Sequence, residues 1–264
     1  MDAICVIAAP GTGTRHLCEV LANLSDLAPY LEAFGPDGTH GIDPDALPLL
    51  RRLTGIGFSD HRDPRIAAFA HERPAAWLDA LEIAARDRGK RVMSFNLFHD
   101  HMPIETIERE LMPRTGMRVM LVMRRQIDSY VAWRRATALA TLPDAGRLGV
   151  KVKLNPEHFS QWLDAQERWY AHWRDYLRRR FLPCPVLRYE FDIERQPPEA
   201  VLRRFAAAAA QLGITLRPPG VDAIEGVPQQ RARNLSDDVS NWIDFSRELF
   251  KRGLEKRAFG YPIQ

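Results

Sequence analysis

AAPGTGTRHLCEVL, residues 8–21, joins the short apolar run ICVI to a segment with helical periodicity. Ile4–Ala8 has the length and composition of a buried strand, and Pro10-Gly11 ends it. A helix is predicted from Thr14 to about Leu24, because its apolar residues recur at three- and four-residue intervals. The stretch therefore predicts a strand–loop–helix unit that resembles a P-loop in outline.

The loop of this unit has the chemistry of an anion site. A glycine-rich turn between a buried strand and a helix presents free backbone N–H groups and the positive end of the helix dipole. Gly11 and Gly13 let the backbone wrap closely, Thr12 and Thr14 add hydroxyl groups, and Arg15 adds charge. A plain tight turn is the alternative. The loop is not that of a nucleoside-triphosphate enzyme, because no lysine follows the second glycine.

The composition excludes several other classes of protein. The 264 residues carry a formal net charge of only +3, whereas a nucleic-acid binder usually has a concentrated basic face. Cys5, Cys18 and Cys184 are too few and too scattered for a disulfide framework or a zinc site. No apolar run is long enough to span a bilayer, and the N-terminus lacks the basic region of a secretory signal. We expect a cytoplasmic protein with no nucleic-acid partner, no integral membrane segment and no metal.

Strand and helix patterns alternate along the chain, which predicts an α/β fold with a mainly parallel sheet flanked by helices, in a single domain over residues 1–264. Residues 26–73 are rich in Pro, Gly and Asp and predict irregular structure with a few short helical turns. The other predicted strands are 91–98, 117–123 and 184–189. The other predicted helices are 74–88, 104–111, 127–139, 156–181, 198–212 and 237–256. In the long helix 156–181, Trp162, Trp169 and Trp173 share one stripe, which is typical of core packing.

The loop resembles a known family. PGTGTRHL, residues 10–17, is similar to the 5′-phosphosulfate loop P-x-[ST]-G-[ST]-x-x-L of sulfotransferases that use 3′-phosphoadenosine-5′-phosphosulfate (PAPS). The run GTRHLCEVL resembles the glycosaminoglycan sulfotransferase version in particular. The resemblance implies that PAPS is the co-substrate and that the loop residues bind it, namely Gly11, Thr12, Gly13, Thr14, Arg15 and His16.

A second segment, VMLVMRRQIDSYVAWRRA over residues 119–136, resembles the family's 3′-phosphate segment. There a buried strand delivers an arginine, and a serine follows eight residues later on a helix. Arg124 occupies the arginine position, but Ala132 stands where the serine is expected. Ser129, one turn earlier on the same helix face, would replace the missing hydroxyl.

Two C-terminal segments extend the resemblance over nearly the whole chain. PVLRYEFD, residues 185–192, resembles the strand whose tyrosine lies near the adenine, which implies this role for Tyr189. QQRARNLSDDVSNW, residues 229–242, resembles a loop that closes over the 3′ side of the nucleotide. Gln230 matches that loop, and Arg231 and Arg233 would restore the charge lost where Gln229 replaces a lysine.

The family also implies a general base, for which there are two candidates. Glu32 lies in LAPYLEAFGPDGTHG, residues 27–41, which resembles the bacterial segment G-E-x-F-x-P-x-G, where a glutamate is the base in some members. His101 lies in FHDHMP, residues 98–103, which resembles the H-L-P segment whose histidine is the base in cytosolic sulfotransferases. Glu32 is the first choice and His101 the second. His99 and His101 as metal ligands would need a third partner that the sequence does not supply.

The resemblance implies an enzyme that moves a sulfuryl group from PAPS to a hydroxyl of a carbohydrate or other small-molecule acceptor by in-line displacement. Gly11 stands where many members carry a lysine or arginine that touches the bridging oxygen, and Arg15 is expected to take over that contact with the leaving group. Because several expected anion contacts are absent, a catalytically weak or inactive nucleotide-binding or scaffold protein on the same fold is the alternative. A nucleotide kinase is disfavoured by the missing loop lysine.

Overall fold

The computed structural model describes residues 1–36, 38–140, 149–217, 219, 224 and 234–263. Five parallel strands form one sheet in the order β2-β3-β1-β4-β5. The strands are β1 (Asp2–Ile7), β2 (Leu27–Pro29), β3 (Val92–Leu97), β4 (Met117–Met123) and β5 (Val186–Arg188). The predicted α/β fold with a mainly parallel sheet is confirmed.

Helices cover both faces of the sheet. They are α1 (Thr14–Leu21), α2 (Leu47–Thr54), α3 (Pro64–Glu72), α4 (Pro74–Asp87), α5 (Ile104–Thr106), α6 (Gln126–Ala140), α7 (Pro156–Arg179), α8 (Pro198–Gln211), α9 (Leu235–Asp238), α10 (Trp242–Lys251) and α11 (Glu255–Ala258). A short 3₁₀ turn, Pro44–Ala46, precedes α2, and single π-helical turns occupy Ile107–Leu111 and Tyr189–Ile193.

Alternate residues of the central strand β1 enter the two main cores. Cys5 and Ile7 pack with residues of α4 and α7 on one face. Ile4 and Val6 pack with residues of α1 and α8 on the other face. Because both faces are covered, the strand is apolar along its length, as expected for a parallel sheet.

The long helix α7 supports the strand ends directly. Trp162, Trp169 and Trp173 are all buried, so the predicted core stripe is confirmed. The indole N–H of Trp169 donates to the Ala8 carbonyl at 3.0 Å, just after β1. The hydroxyl of Tyr170 donates to the Val122 carbonyl of β4 at 2.7 Å. These bonds fix the edge of the sheet at which β1 and β4 end.

Two sequence predictions were wrong in detail. Residues 26–73 contain the strand β2, which was not predicted, and two helices, α2 and α3, that are longer than the expected short turns, while the rest of the segment is irregular as predicted. The predicted helix 237–256 is divided into α9, α10 and α11, because the Asn241 side chain accepts from Leu154 N–H and donates to Leu154 C=O, both at 2.9 Å. Val239 also forms a bridge with Val152. The chain between α9 and α10 is therefore extended against residues 152–154.

Candidate functional site

The carboxyl ends of all five strands meet at one edge of the sheet, and each is followed by a predicted site residue. Open α/β sheets bind ligands at the carboxyl ends of their parallel strands, at the point where the strand order reverses. After β1 comes the loop 8–13. Glu32 follows β2, His101 follows β3, Arg124 follows β4 and Tyr189 follows β5.

Both loop glycines are required by the packing of the loop. Gly11 has φ +80° and Gly13 has φ +84°, in the left-handed region that side chains disfavour. A Cβ at Gly11 would overlap the carbonyl oxygen of Ser129 on α6, and one at Gly13 would overlap the ring of Tyr189. The glycines therefore let the loop lie directly against α6 and Tyr189.

Thr12 stabilises the loop from inside. Its hydroxyl accepts from the Ala9 N–H at 2.9 Å and donates to the Ala9 carbonyl. Its own N–H donates to the same carbonyl at 3.1 Å. The Thr12 side chain is buried against the Ala9 backbone, so it stabilises the loop from within and does not face the cleft beside the loop.

Helix α1 presents an uncapped N-terminus to that space. Its first intrahelical bond runs from Leu17 N–H to Gly13 C=O at 3.2 Å. The four preceding N–H groups lack such a bond, no described side chain caps them, and the first turn carries no acidic residue. Four amide donors and the helix dipole thus favour an anion here. These donors are Gly13, Thr14, Arg15 and His16.

The two basic side chains of this turn differ in exposure. Arg15 is exposed, whereas His16 is buried. Burial lowers the pKa of His16, and Glu19, whose carboxylate lies 3.9 Å from Nδ1, opposes that shift. The neutral imidazole of His16 is therefore part of the protein interior, and only Arg15 offers a charge to the solvent side.

Arg124 lies on the other side of the loop. Its Nη1 donates to the Gly11 carbonyl at 3.0 Å, and its guanidinium carbon lies 4.4 Å from the centroid of the Tyr189 ring. Its Nε is buried and has no hydrogen-bond partner among the described residues. A guanidinium held in this way, with a spare buried donor, fits an anionic ligand group.

The helix after Arg124 supplies one wall of the site. Ser129 is buried, and its carbonyl packs against Gly11, so it supports the loop. Ala132 lines the cleft, together with Trp133 and Ala136. The sequence did not single out Trp133, although it stands directly beside the position compared with the family's serine.

Glu32 and His101, considered as alternatives from sequence, lie together. His101 Nε2 is 4.0 Å from Glu32 Oε2, and the side chains are 1% and 28% exposed, respectively. His101 Nδ1 accepts from the Phe98 N–H at 3.4 Å, which leaves the proton of a neutral imidazole on Nε2. Burial lowers the pKa of His101 to about 3, and nearby histidines add to the effect. His101 is therefore neutral near pH 7.

The backbone around Glu32 is well anchored. Leu31 N–H donates to His40 C=O at 3.1 Å, and His40 N–H donates to Glu32 C=O at 3.0 Å. The indole N–H of Trp77 donates to the Ala33 carbonyl at 2.8 Å. Two independent contacts thus hold the residues on either side of this carboxylate.

One cleft of about 390 Å³ collects most of these groups. Of the residues predicted from sequence, Gly11, Gly13, Thr14, Arg15, Glu32, His101, Arg124 and Ala132 line it. Thr12, His16, Ser129 and Tyr189 support it from behind. Gln230, Arg231 and Arg233 lie outside the described residues. Sequence reasoning missed Phe98 and Trp133, whose place in the cleft depends on tertiary contacts.

The described residues contain no group of three metal-ligating side chains able to hold a metal ion. His99 instead interacts with Gln166, at 3.1 Å between His99 Nδ1 and Gln166 Nε2. Within the same residues, no helix combines the length and the apolar character that crossing a membrane requires.

The chain matches no protein-family model, and no curated protein sequence is significantly similar to it. Solved structures similar to it include the sulfotransferase domain from the curacin biosynthetic pathway, with a TM-score of 0.45 and 14% identity over 92% of this chain and 86% of that chain. Another is mouse sulfotransferase SULT7A1 complexed with PAP, with a TM-score of 0.41 and 15% identity over 97% of this chain and 82% of that chain. Both are sulfotransferases.

Proposed function

We propose that the protein is a sulfotransferase that moves a sulfuryl group from PAPS to a hydroxyl of a carbohydrate or other small molecule. The observation that carries the proposal is the composition of the cleft. An uncapped helix N-terminus, a buried arginine donor and a carboxylate–imidazole pair line the same 390 Å³ space. The motif resemblance of the sequence points to the same chemistry.

The donor would lie along the loop and α1. The N–H groups of Gly13 to His16 would hold its 5′-phosphosulfate, as helix N-termini hold phosphate groups. Arg124 would bind the 3′-phosphate through its free Nε, while Tyr189 keeps the guanidinium in place by stacking. Arg15 is the exposed cation nearest this helix end and would neutralise charge on the leaving phosphate oxygen.

Glu32 is the proposed general base. It would accept the proton of the acceptor hydroxyl while the hydroxyl oxygen forms a bond to sulfur. The bond from sulfur to the phosphate oxygen breaks at the same time, and its electron pair stays on that oxygen. In such a loose, in-line transfer the protein acts mainly by positioning and by stabilising charge.

His101 is proposed to position Glu32 rather than to replace it. Its Nδ1 already accepts from Phe98, so the nitrogen that faces Glu32 carries a proton and cannot accept a second one. That N–H would orient the carboxylate of Glu32 towards the acceptor. Glu32 is also the more exposed of the two, as a group that meets a substrate must be.

The first test of this proposal is calorimetry with adenosine 3′,5′-bisphosphate (PAP), followed by turnover of ³⁵S-labelled PAPS with a panel of hydroxyl acceptors. We expect PAP to bind at least tenfold more tightly than 5′-AMP, because the 3′-phosphate adds a charge-assisted contact with Arg124. R124Q removes that preference. R125Q is the matched control, because Arg125 pairs instead with Asp128 at 2.8 Å.

The outcomes separate the candidate functions. Equal affinity for PAP and 5′-AMP would contradict a PAPS site. PAP binding without turnover of PAPS would favour the nucleotide-binding or scaffold protein, for which the absence of polar side chains at Gly11 and Ala132 in the cleft is the supporting observation.

A further inference from the structure

A second groove opens beside the cleft, along the outer side of α1. It has a volume of about 310 Å³ and extends from the end of β2 to the loop before α3. Arg15 and His40 line both spaces, so the groove adjoins the cleft. A molecule with its hydroxyl near Glu32 would therefore reach this groove with its other end.

The polar side chains of the groove are mainly basic or N–H donors. Arg15 and Arg62 are exposed, and neither forms an ion pair with a described residue. His40 and His61 lie with their ring centroids 5.9 Å apart in an edge-to-face arrangement. Two guanidinium groups and two imidazoles thus converge on one concave surface.

One acidic residue, Glu19, also lines the groove. Its carboxylate lies 3.9 Å from Nδ1 of the buried His16, and its side chain is 53% exposed. Glu19 belongs to α1, whereas Arg62 and His61 belong to the loop before α3, so the cationic donors available to an acceptor lie on that loop.

The basic wall is held in place by backbone contacts. Thr39 N–H donates to the His61 carbonyl at 2.9 Å, and Arg62 N–H donates to Asp60 Oδ1 at 2.7 Å. Gly38 packs against the Arg62 backbone, where an added Cβ would lie 3.1 Å from the Arg62 Cα. These contacts hold residues 38–39 against residues 60–62 and so define the shape of the groove.

The groove and Arg124, the proposed 3′-phosphate contact, lie on opposite sides of the central strand β1. Arg124 follows β4, on one side of the central strand, whereas the groove adjoins the end of β2 at the opposite edge of the sheet. Glu32 lines the cleft and directly follows Leu31, which lines the groove. A charge bound in the groove thus belongs to the acceptor and not to the 3′-phosphate of the donor.

We propose that the acceptor carries an anionic group, a carboxylate, sulfate or phosphate, that binds in this groove through Arg62 and His61. The inference rests on the proposed function, since it takes Glu32 as the base that faces the acceptor hydroxyl. It names a substrate class, an anionic hydroxyl compound, which the loop and Arg124 do not specify.

The test compares acceptors that differ in one group. 4-Nitrophenyl β-D-glucuronide and 4-nitrophenyl β-D-glucoside differ by a carboxylate against a hydroxymethyl group, and glucose 6-phosphate tests a phosphate. We expect kcat/KM to be at least about tenfold higher for the glucuronide than for the glucoside, since a charge-assisted hydrogen bond contributes about this much. R62Q should lower that ratio about tenfold. R52Q, which removes an exposed arginine on α2 outside the groove, should leave the ratio unchanged.

The result also separates the two proposals. A charged-to-neutral ratio near one, or a ratio that R62Q and R52Q reduce equally, would overturn the groove assignment while PAPS turnover still stands. If no acceptor is sulfated, calorimetry with the glucuronide and the glucoside still measures the preference of the groove. A preference for glucose 6-phosphate over the glucuronide would identify the anion as a phosphate.

Discussion

Glu32 and His101 lie side by side, with 4.0 Å between Oε2 and Nε2, but their surroundings differ. His101 is almost fully buried and neutral, whereas Glu32 reaches the cleft. A buried imidazole whose Nδ1 is occupied can orient a neighbour, but it cannot easily take a proton from a substrate. We therefore propose that Glu32 acts as the base and that His101 acts as its positioning partner.

Replacing Glu32 tests this arrangement. We expect E32Q to lower kcat for sulfuryl transfer by roughly 10²- to 10⁴-fold, the usual contribution of a general base. PAP affinity should change far less than kcat, because the proposed contacts of the nucleotide are Arg124 and the amides of α1 rather than Glu32. Initial rates with labelled PAPS and calorimetry with PAP measure the two quantities.

E108Q is the matched control for this substitution. Glu108 is 33% exposed, close to the value for Glu32, but it pairs with His172 far from the cleft. Near-normal turnover by E32Q would exclude Glu32 as the base. An equal loss in E108Q would show that the effect is on stability.

At the scale of elements, the loop between β1 and α1 depends on close packing as well as on its N–H donors. G13A should lower the free energy of unfolding by roughly 1–3 kcal/mol, since it forces a side chain into the left-handed region and against Tyr189. PAP affinity should fall at least tenfold, because the loop and Tyr189 must move apart. Urea denaturation and calorimetry are the measurements.

G89A is the control for the free energy that an alanine loses in the left-handed backbone conformation alone. Gly89 has φ +72°, and a Cβ there would meet nothing within 4 Å. G89A should therefore lose about 1 kcal/mol and bind PAP like the original protein. If G13A behaved in the same way, the contact with Tyr189 would contribute nothing to the site.

The elements also explain which parts of the fold are readable from sequence. Met117–Met123 is an apolar run buried on both faces of the sheet, so pattern and structure agree. Leu27–Pro29 has only three residues and owes its position to contacts with β3 and to the Tyr30 hydroxyl, which donates to the Leu81 carbonyl. Three residues are too few to show the alternating or continuous apolar pattern from which a strand is predicted.

The same reasoning applies to the site. Motif resemblance suggested Glu32, His101 and Arg124 one by one, because each stands in a recognisable local segment. Their convergence follows from the strand order, which places the ends of β2 and β3 side by side. The grouping of His61 and Arg62 with His40 in the groove depends on tertiary contacts, such as the hydrogen bond between Thr39 and His61, which no local pattern reveals.

At the scale of the whole molecule, burial of His101 makes the fold sensitive to acid. Its pKa is about 3 in the folded protein, against an ordinary value of 6.5. Between these values the unfolded chain binds the proton and the folded chain does not, so stability is lost as the pH falls below about 6.5. From pH 7 to pH 5 this one group should cost about 2 kcal/mol.

Comparison with H101Q isolates this contribution. H101Q is expected to be less stable at pH 7, because a packed imidazole is lost. The stability gap between the two proteins should narrow by about 2 kcal/mol at pH 5, since the variant has no proton to take up at this position. Urea titrations at the two pH values provide the gap, and a constant gap would mean that His101 is not buried in its neutral form.

The order of the five strand ends separates the proposed donor contacts from the proposed acceptor contacts across the sheet. In the proposed function, the segments after β1, β4 and β5 surround the nucleotide, while those after β2 and β3 face the acceptor. Substitutions in the segments after β2 and β3 would then change the selectivity for the acceptor and leave the affinity for PAPS unchanged. Related proteins could acquire new acceptors through changes confined to these segments at one side of the sheet.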